Sequence, residues 1–431
     1  MKYVEEVVGE ILTKIENKKL SLRLVMEEYF KTNPDLYPIK GLVRAYSLGL
    51  LRKYRIIDEY INTVLEADKL KGLKRNILRA VVYEIVFREV GYERIHKILK
   101  RHSLDGLITR KTFKDLRNTS PRELVKRYGK LRRLAILLSQ PDWIVDYTIK
   151  LLGEDGIKLL ISFNQPHPLW VRVNTKQITS TRLLKKLRKR GLKVEKDEDL
   201  PDVIKIKEVR EALSHLPEYQ QGLFYIQDKA SILVGHVVSP KEGEKILDAC
   251  AAPGSKSTHL SILAPHAKIV SVDISYGRLK FLKEYMKKHR LRNIDIIVAD
   301  SRRLPLHTSF NKILLDPDCS SLGRLGHSPE IRLWIKKSYV KYFSKLQAQL
   351  LEQLYNFMKR GTKLVYSTCT YTLEENELLL KTFLENHGDV ELVEHDPFIG
   401  KRGFLGLSHV QRLYTHEKNT LTFTISVLEK G

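Results

Sequence analysis

The stretch that decides the fold is KILDACAAPGSKSTHL, residues 245–260. It opens as a short apolar run ending in an acid, passes through small residues with one proline and one glycine, and closes at helical spacing. That pattern reads as strand, tight loop, helix. Ala249, Ala251, Ala252 and Gly254 let a ligand approach the backbone, and the helix N-terminus offers free N–H groups to an anion. The loop lacks G-x-G-x-x-G, which lowers a dinucleotide reading.

Downstream, KIVSVDI, IDIIVAD, NKILLD and TKLVYSTC are β-rich runs separated by helical stretches such as RLKFLKEYMKKHR and YFSKLQAQLLEQLYNFMK. Strand–helix alternation predicts a doubly wound parallel sheet, whose ligands bind beyond the carboxyl ends of the strands. Asp273 ends the second strand, where an acid can accept both ribose hydroxyls of an adenosine-containing cofactor. Asp300 ends the third, where it can accept from an adenine amino group.

The chain has three cysteines in 431 residues. An odd, sparse set argues against a disulfide framework and for a reducing compartment, and no Cys or His cluster has zinc-site spacing, so no structural metal is expected. Two of the three, Cys319 in LLDPDCSSLG (314–323) and Cys369 in VYSTCTYTLEENE (365–377), fall just beyond strands on the cofactor edge. Cytosine C5 is a poor nucleophile, and its methylation needs prior attack on C6, a step that suits a thiolate. The thiolate needs positive charge or helix dipoles nearby, for which Lys256 and a helix starting near Leu373 are candidates. Asp316 is placed to stabilise a protonated ring nitrogen. A second thiol can assist the final elimination.

Upstream, residues 1–130 read as almost all helix, with apolar stripes such as Leu42, Tyr46, Leu50 and Ile77, Val81, Ile85. Residues near 140–238 read as a small α+β module with an extended stretch Val171–Asn174 and a basic helix. With 76 Lys and Arg against 51 Asp and Glu, the net charge is +25. Twelve Lys and Arg in residues 100–133 face only Asp105, Asp115 and Glu123, and Arg182–Arg190 adds six with no acid. Such patches suit phosphate contacts, and nucleic acid is the leading partner. No apolar run reaches the ~20 residues of a membrane span.

Asp248 to Lys256, Asp273 with Arg278, Asp300, the Asp316-Pro-Asp-Cys319 run and Thr368-Cys369 together resemble the RsmB/NOP/Sun-type RNA cytosine-5 methyltransferases over roughly 140–428. GLFYIQDKAS at 222–231 resembles the segment ahead of the family's cofactor loop. The stretches GLVRAYSLGLLRKYRIIDEYI and LKRNILRAVVYEIVFRE resemble the NusB-like RNA-binding domain.

The resemblance implies a multidomain chain: an all-α NusB-like bundle (1–135), an α+β RNA-positioning module (136–238) and an α/β class I (Rossmann-like) methyltransferase domain (239–431). It further implies S-adenosyl-L-methionine held by Cys250, Ala251, Ala252, Pro253, Gly254, Ser255, Lys256, Asp273, Arg278, Asp300 and Asp316. Cys369 is then the nucleophile, Cys319 assists product release and Asp316 contacts the base. Ribosomal RNA is the favoured substrate and tRNA the alternative, for a cytoplasmic monomer with no membrane partner. This chain also departs from the family. Asp-Pro-Asp-Cys-Ser-Ser replaces Asp-Pro-Pro-Cys-Ser-Gly, and the extra carboxylate of Asp318 is expected to raise nearby thiol pKa values. Ser255 replaces a glycine, and QRLYTHEKNTLTFTISVL lacks the usual proline and Gly-Phe-Phe. These departures keep open a non-catalytic RNA-binding or ribosome-assembly factor with a degenerate methyltransferase fold.

Overall fold

The computed structural model describes residues 2–208 and 212–431. The chain divides into two compact units, Met1–Gln165 with Leu325–Ile335, and Pro166–Arg324 with Lys336–Gly431.

The described part of the first unit is helical, as its three- and four-residue periodicity predicts. Helix Val4–Lys18 buries Val7, Val8, Ile11, Leu12 and Ile15 in a core shared with Ile77, Val81 and Ile85 of helix Gly72–Phe87. A side chain at Gly9 would stand 2.7 Å from Cγ1 of Ile77, so glycine is what lets these helices touch. Of the expected stripe, Tyr46 and Leu50 are buried, whereas Leu42 is 47% exposed. The helix Lys40–Leu51 is rotated so that Val43 and Ser47 face inward instead.

The sequence division at 135/136 follows a change of pattern, but the packing breaks at 165/166. Helix Lys130–Leu137 packs on Asp142–Leu152, which packs on Glu154–Ser162. The segment Leu325–Ile335, read from sequence as part of the methyltransferase domain, belongs to this helical unit. Arg332 is buried there and donates to the Phe163 carbonyl (3.1 Å) and to Asn164 Oδ1 (2.8 Å). Glu330 accepts from the Leu22 N–H at 3.1 Å. No helix among the described residues is long and apolar enough to cross a membrane.

The described residues of the second unit form two sheets. The smaller one has the order β2-β3-β1-β4, all antiparallel, built from β1 (Leu169–Val173), β2 (Lys193–Lys196), β3 (Val203–Glu208) and β4 (Phe224–Ile226). Helix Ser180–Lys189 covers it, burying Leu183 and Leu187. The larger sheet contains the parallel set β9-β8-β5-β6-β7, where β5 is Lys245–Asp248, β6 Lys268–Asp273, β7 Ile294–Val298, β8 Phe310–Leu315 and β9 Met358–Thr368. This Rossmann-like core is the doubly wound arrangement the alternation predicts. The C-terminal segment adds antiparallel strands that the parallel expectation did not include: β10 (Val390–Val393), β11 (Lys401–Arg402), β12 (Gln411–Leu413) and β13 (Phe423–Lys430), with β13 beside β9.

A buried ion pair fixes this extension. Arg412 of β12 and Glu377, on the helix after β9, are 1% and 0% exposed and form a two-point pair, while Arg412 also donates to the Tyr371 carbonyl at 2.8 Å. Glu377→Ala strands a buried guanidinium and is expected to cost about 3–5 kcal/mol, read as a lower urea midpoint. Glu377→Leu combined with Arg412→Met should recover most of that loss, and a double variant as unstable as the single would refute the account.

Candidate active site

In the parallel set β5 and β8 are neighbours, yet the chain leaves β5 toward β6 and leaves β8 toward β9 on the other side. Their carboxyl ends therefore open a crevice at the switch point. β5 runs into the loop Ala249–Gly254, β8 into Asp316–Cys319, and β9 into Cys369.

Backbone strain and packing shape the first loop. Gly254 has φ +107, and a Cβ there would lie 2.6 Å from Leu282, so only glycine fits. Ser255, where the family has a second glycine, opens the helix Ser255–Leu263 and needs no such freedom. Its carbonyl accepts from the buried Arg172 of β1 at 2.7 Å. Asp273 accepts from the N–H groups of Ala252 (3.0 Å) and Ser275 (2.8 Å), which ties the end of β6 to the loop. Arg278 donates to the Ala252 carbonyl at 2.7 Å. Asp248 is buried with one carboxylate oxygen bonded to Ser257 at 2.6 Å and the other without a partner, and burial pushes its carboxyl up to about 7. Asp300 is engaged by the Arg302 guanidinium at 2.6 Å, which holds its carboxyl below the usual range.

The second and third loops bring the thiols together. Cys319 Sγ and Cys369 Sγ are 3.0 Å apart, and Ser321 Oγ lies 3.6 Å from Cys369. The pair splits in proton affinity. The hydrogen bond to Cys369, together with burial, pushes the Cys319 thiol well above its ordinary range. The same bond, with Cys319 as donor, lowers Cys369 against its own burial, and the charge of Arg324 lowers it further. Cys369 is thus the sulfur disposed to carry the negative charge. Asp316 accepts from Lys256 Nζ at 2.6 Å and from Ser367 Oγ at 2.8 Å.

The structure therefore brings Asp316, Cys319, Cys369 and Lys256 to one crevice beside the loop 250–254 and Asp273. It does not use Lys256 and a helix at Leu373 to bias the thiols as the sequence suggests. Lys256 pairs with Asp316, and the helix begins at Glu377. Cys250, its thiol pushed well above the ordinary range by burial and by Asp248, is a packing residue of the loop. Asp318 raises one thiol as expected, adding to the charges that push Cys250 up, but not the Cys319–Cys369 pair. Its carboxylate is 71% exposed and 3.8 Å from Arg278, turned toward the cofactor-side loop, and the charges acting most on the two thiols are Glu375, Asp316 and Arg324.

Sequence reasoning missed Glu375. It is fully buried and accepts from the Ser320 N–H (2.8 Å), Thr372 Oγ1 (2.8 Å) and Gln347 Nε2 (3.2 Å), joining the two cysteine loops. Its place in the run Glu374-Glu375-Asn376-Glu377 hides it among solvated-looking acids. Ile274 and Val298, next to the strand-end acids, were missed as well. They are 68% and 51% exposed, an unusual state for aliphatic side chains at strand ends.

A Rossmann-like sheet with a small-residue loop, a ribose-type acid after β6 and an acid after β8 defines a class I S-adenosylmethionine-dependent methyltransferase. Residues 235–429 match the family described as 16S rRNA methyltransferase RsmB/F, and residues 140–211 match the RsmF/B-like ferredoxin-like domain. The chain is 30% identical to the ribosomal RNA small subunit methyltransferase B of Escherichia coli (strain SMS-3-5 / SECEC), over 82% of this chain and 84% of that protein. It is equally 30% identical to the protein of the same name from Photorhabdus laumondii, over 84% and 86%. NSun6 from Pyrococcus horikoshii, solved with SFG, superposes with a TM-score of 0.62 at 26% identity, covering 67% of this chain and 98% of that one. The chain belongs to the RsmB/F methyltransferase family.

The residues present fit S-adenosylmethionine. The unpartnered oxygen of Asp248, the anchored carboxylate of Asp273 and the open backbone of 250–254 offer polar contacts, while Ile274 and Val298 offer apolar faces to a planar base. Bound there, the cofactor supplies an electrophilic methyl group.

Iodoacetamide alkylation across a pH series, mapped by mass spectrometry, is expected to modify Cys369 at lower pH than an unperturbed thiol and Cys319 and Cys250 only well above it. Cys319→Ala removes the S–H donor and should move the Cys369 midpoint upward. A midpoint that stays in place would show that Cys319 does not hold the thiolate.

Proposed function

We propose that the chain methylates carbon 5 of a cytosine in RNA, small-subunit ribosomal RNA first, through a covalent Cys369–C6 adduct. The observation that carries this reading is the thiol pair: two sulfurs in contact, on adjacent loops of the cofactor edge, with opposite proton affinities. A single nucleophile needs no such partner; an addition followed by an elimination does.

The Cys369 thiolate adds to C6, and the electrons displaced into the ring are met at N3, which takes a proton from water and donates it in a hydrogen bond to the Asp316 carboxylate. Lys256 and Ser367 hold Asp316 for that contact. After methylation water takes the C5 proton, the C5–H electrons restore the C5–C6 double bond, the C6–S bond breaks with its electron pair returning to sulfur, and N3 gives its proton back to water. The Cys319 S–H is positioned to donate to that sulfur as it departs, restoring the resting pair. The target base must be unstacked to reach the thiols, which favours exposed or loosened RNA.

The net charge of +25, the basic patches and the relatives' name support RNA, and ribosomal RNA in particular, as substrate. The helical unit and the small sheet then serve as RNA-binding and RNA-positioning parts of an enzyme acting in the cytoplasm. One chain carries every group named, so a monomer suffices.

Labelled cofactor incubated with RNA from cells lacking the gene should yield 5-methylcytosine, mapped by bisulfite sequencing. Cys319→Ala should accumulate a stable protein–RNA adduct on denaturing gels, and Cys369→Ala should form none and lose turnover by at least 1,000-fold, a few kcal/mol of barrier. An adduct in Cys369→Ala alone would reverse the two roles. A wild-type enzyme silent on all RNA would favour the non-catalytic reading.

A further inference from the structure

The helix Lys337–Tyr355 has two faces with different work. Its inner face backs the cysteine loops: Ser344 Oγ donates to the Glu374 carbonyl at 2.6 Å, and Gln347 Nε2 donates to the Asp318 carbonyl at 3.0 Å and to Glu375. Its outer face exposes Lys337, Lys341, Tyr342 and Lys345, at the three- and four-residue spacing that puts side chains on one side of a helix. Tyr342 is 63% exposed. The helix holds no acid before Glu352. Among the described residues none of the three lysines has an ion-pair partner.

Neither feature serves the fold. Like charges four residues apart weaken a helix, and a solvent-facing ring contributes little burial. The position of the face is informative. Arg302, forked onto Asp300 just past the end of β7, reaches Gln349 of the same helix at 3.5 Å, seven residues on from Tyr342 and so on the same helix face. The ring therefore stands on the carboxyl edge of the sheet, the edge that carries the thiols.

We propose that this face binds single-stranded RNA flanking the target nucleotide, with Tyr342 stacking on one base and Lys337, Lys341 and Lys345 contacting phosphates. Charge selects the polyanion, and the exposed ring selects a strand whose base faces are free, which a duplex does not offer. The inference rests on the RNA reading above and deepens it. It also gives the splayed target a neighbour held in place, so that the flipped base is presented to Cys369 by a strand anchored on the helix that backs the cysteine loops.

The test is fluorescence anisotropy with an end-labelled 12-nucleotide single-stranded oligoribonucleotide containing cytosine, a duplex of the same sequence, and anionic phosphatidylserine vesicles. Tyr342→Ala should weaken single-strand binding about tenfold, and Tyr342→Phe, which keeps the ring, should bind as wild type. The triple variant Lys337→Gln, Lys341→Gln, Lys345→Gln should lower the slope of log affinity against log salt by about 2, at ~0.7 per contact. The proposal is overturned by no wild-type binding, by unchanged affinity in Tyr342→Ala, by equal loss in Tyr342→Phe, by an unchanged salt slope, by preference for the duplex, or by vesicle binding that alone depends on these residues. A wild-type protein that binds as described but transfers no methyl group refutes the catalytic reading only. One that methylates RNA while the variants bind unchanged refutes this inference only.

Discussion

The site depends on one buried carboxylate. β8 and β9 are parallel neighbours, so the loops that follow them emerge side by side, but strand spacing alone leaves neighbouring chains about 4.8 Å apart and their side chains free to turn away. Glu375 removes that freedom by accepting from Ser320 in one loop and Thr372 in the other, with Gln347 closing the set from the helix behind. Each of these donors, left without its acceptor in a buried site, would cost on the order of 1–3 kcal/mol, so the two loops are locked as a unit. A second clamp works on the backbone: the Gly323 N–H donates to the Cys369 carbonyl at 3.0 Å and the Thr422 N–H to the Gly323 carbonyl at 3.2 Å. A Cβ at Gly323 would lie 1.9 Å from the Thr422 oxygen, so the close approach itself demands glycine.

This lock explains how the chain tolerates its departures from the family pattern. Asp318 replaces a proline next to Cys319, but what the lock uses at that position is the backbone carbonyl, which accepts from Gln347 and is indifferent to the side chain. The carboxylate is left to project toward solvent and Arg278, where water screens it from the Cys319–Cys369 pair. Ser255 is tolerated for the same kind of reason. The demanding conformation belongs to Gly254, and the role of position 255 is played by its carbonyl.

What the sequence made legible follows from what is local. Strands announced by β-branched runs ending in acids, and a small-residue loop before a helix, place the cofactor edge and with it Asp273, Asp316 and both thiols. What stayed hidden is long-range. Arg332 lies in a segment bordered by the methyltransferase strands, yet three of its acceptors are the backbone carbonyls of Leu138, Ser139 and Phe163, 169 to 194 residues away in sequence, and a backbone carbonyl leaves no mark on composition. Glu375 is invisible because an acid among acids reads as solvated. The C-terminal strands escaped a parallel-sheet reading because an antiparallel partner needs no long crossover, and the link between β12 and β13 carries only the one-turn helix Thr415–Lys418.

The boundary between the small sheet and the catalytic core is a change of sequence pattern without a break in packing. Trp170 of β1 and Tyr225 of β4 lie in one apolar cluster with Ile246 of β5 and Ile425 of β13. Arg172, fully buried beside them, stacks on Tyr225 and donates to Gln227, to the Ser255 carbonyl and to Thr258. Burial lowers its pKa to about 10, so the guanidinium keeps its charge at neutral pH, in place of water, through contacts to the first turn of the cofactor-side helix. Asp202, at the entry to β3, accepts from His236 at 2.7 Å and from His259 of that same helix at 3.0 Å. Two buried polar networks thus run from the small sheet to the segment that positions the cofactor loop. A displacement of the sheet would have to break them or move the loop with it, so whatever the small sheet grips is held in a fixed relation to the cofactor-side loop.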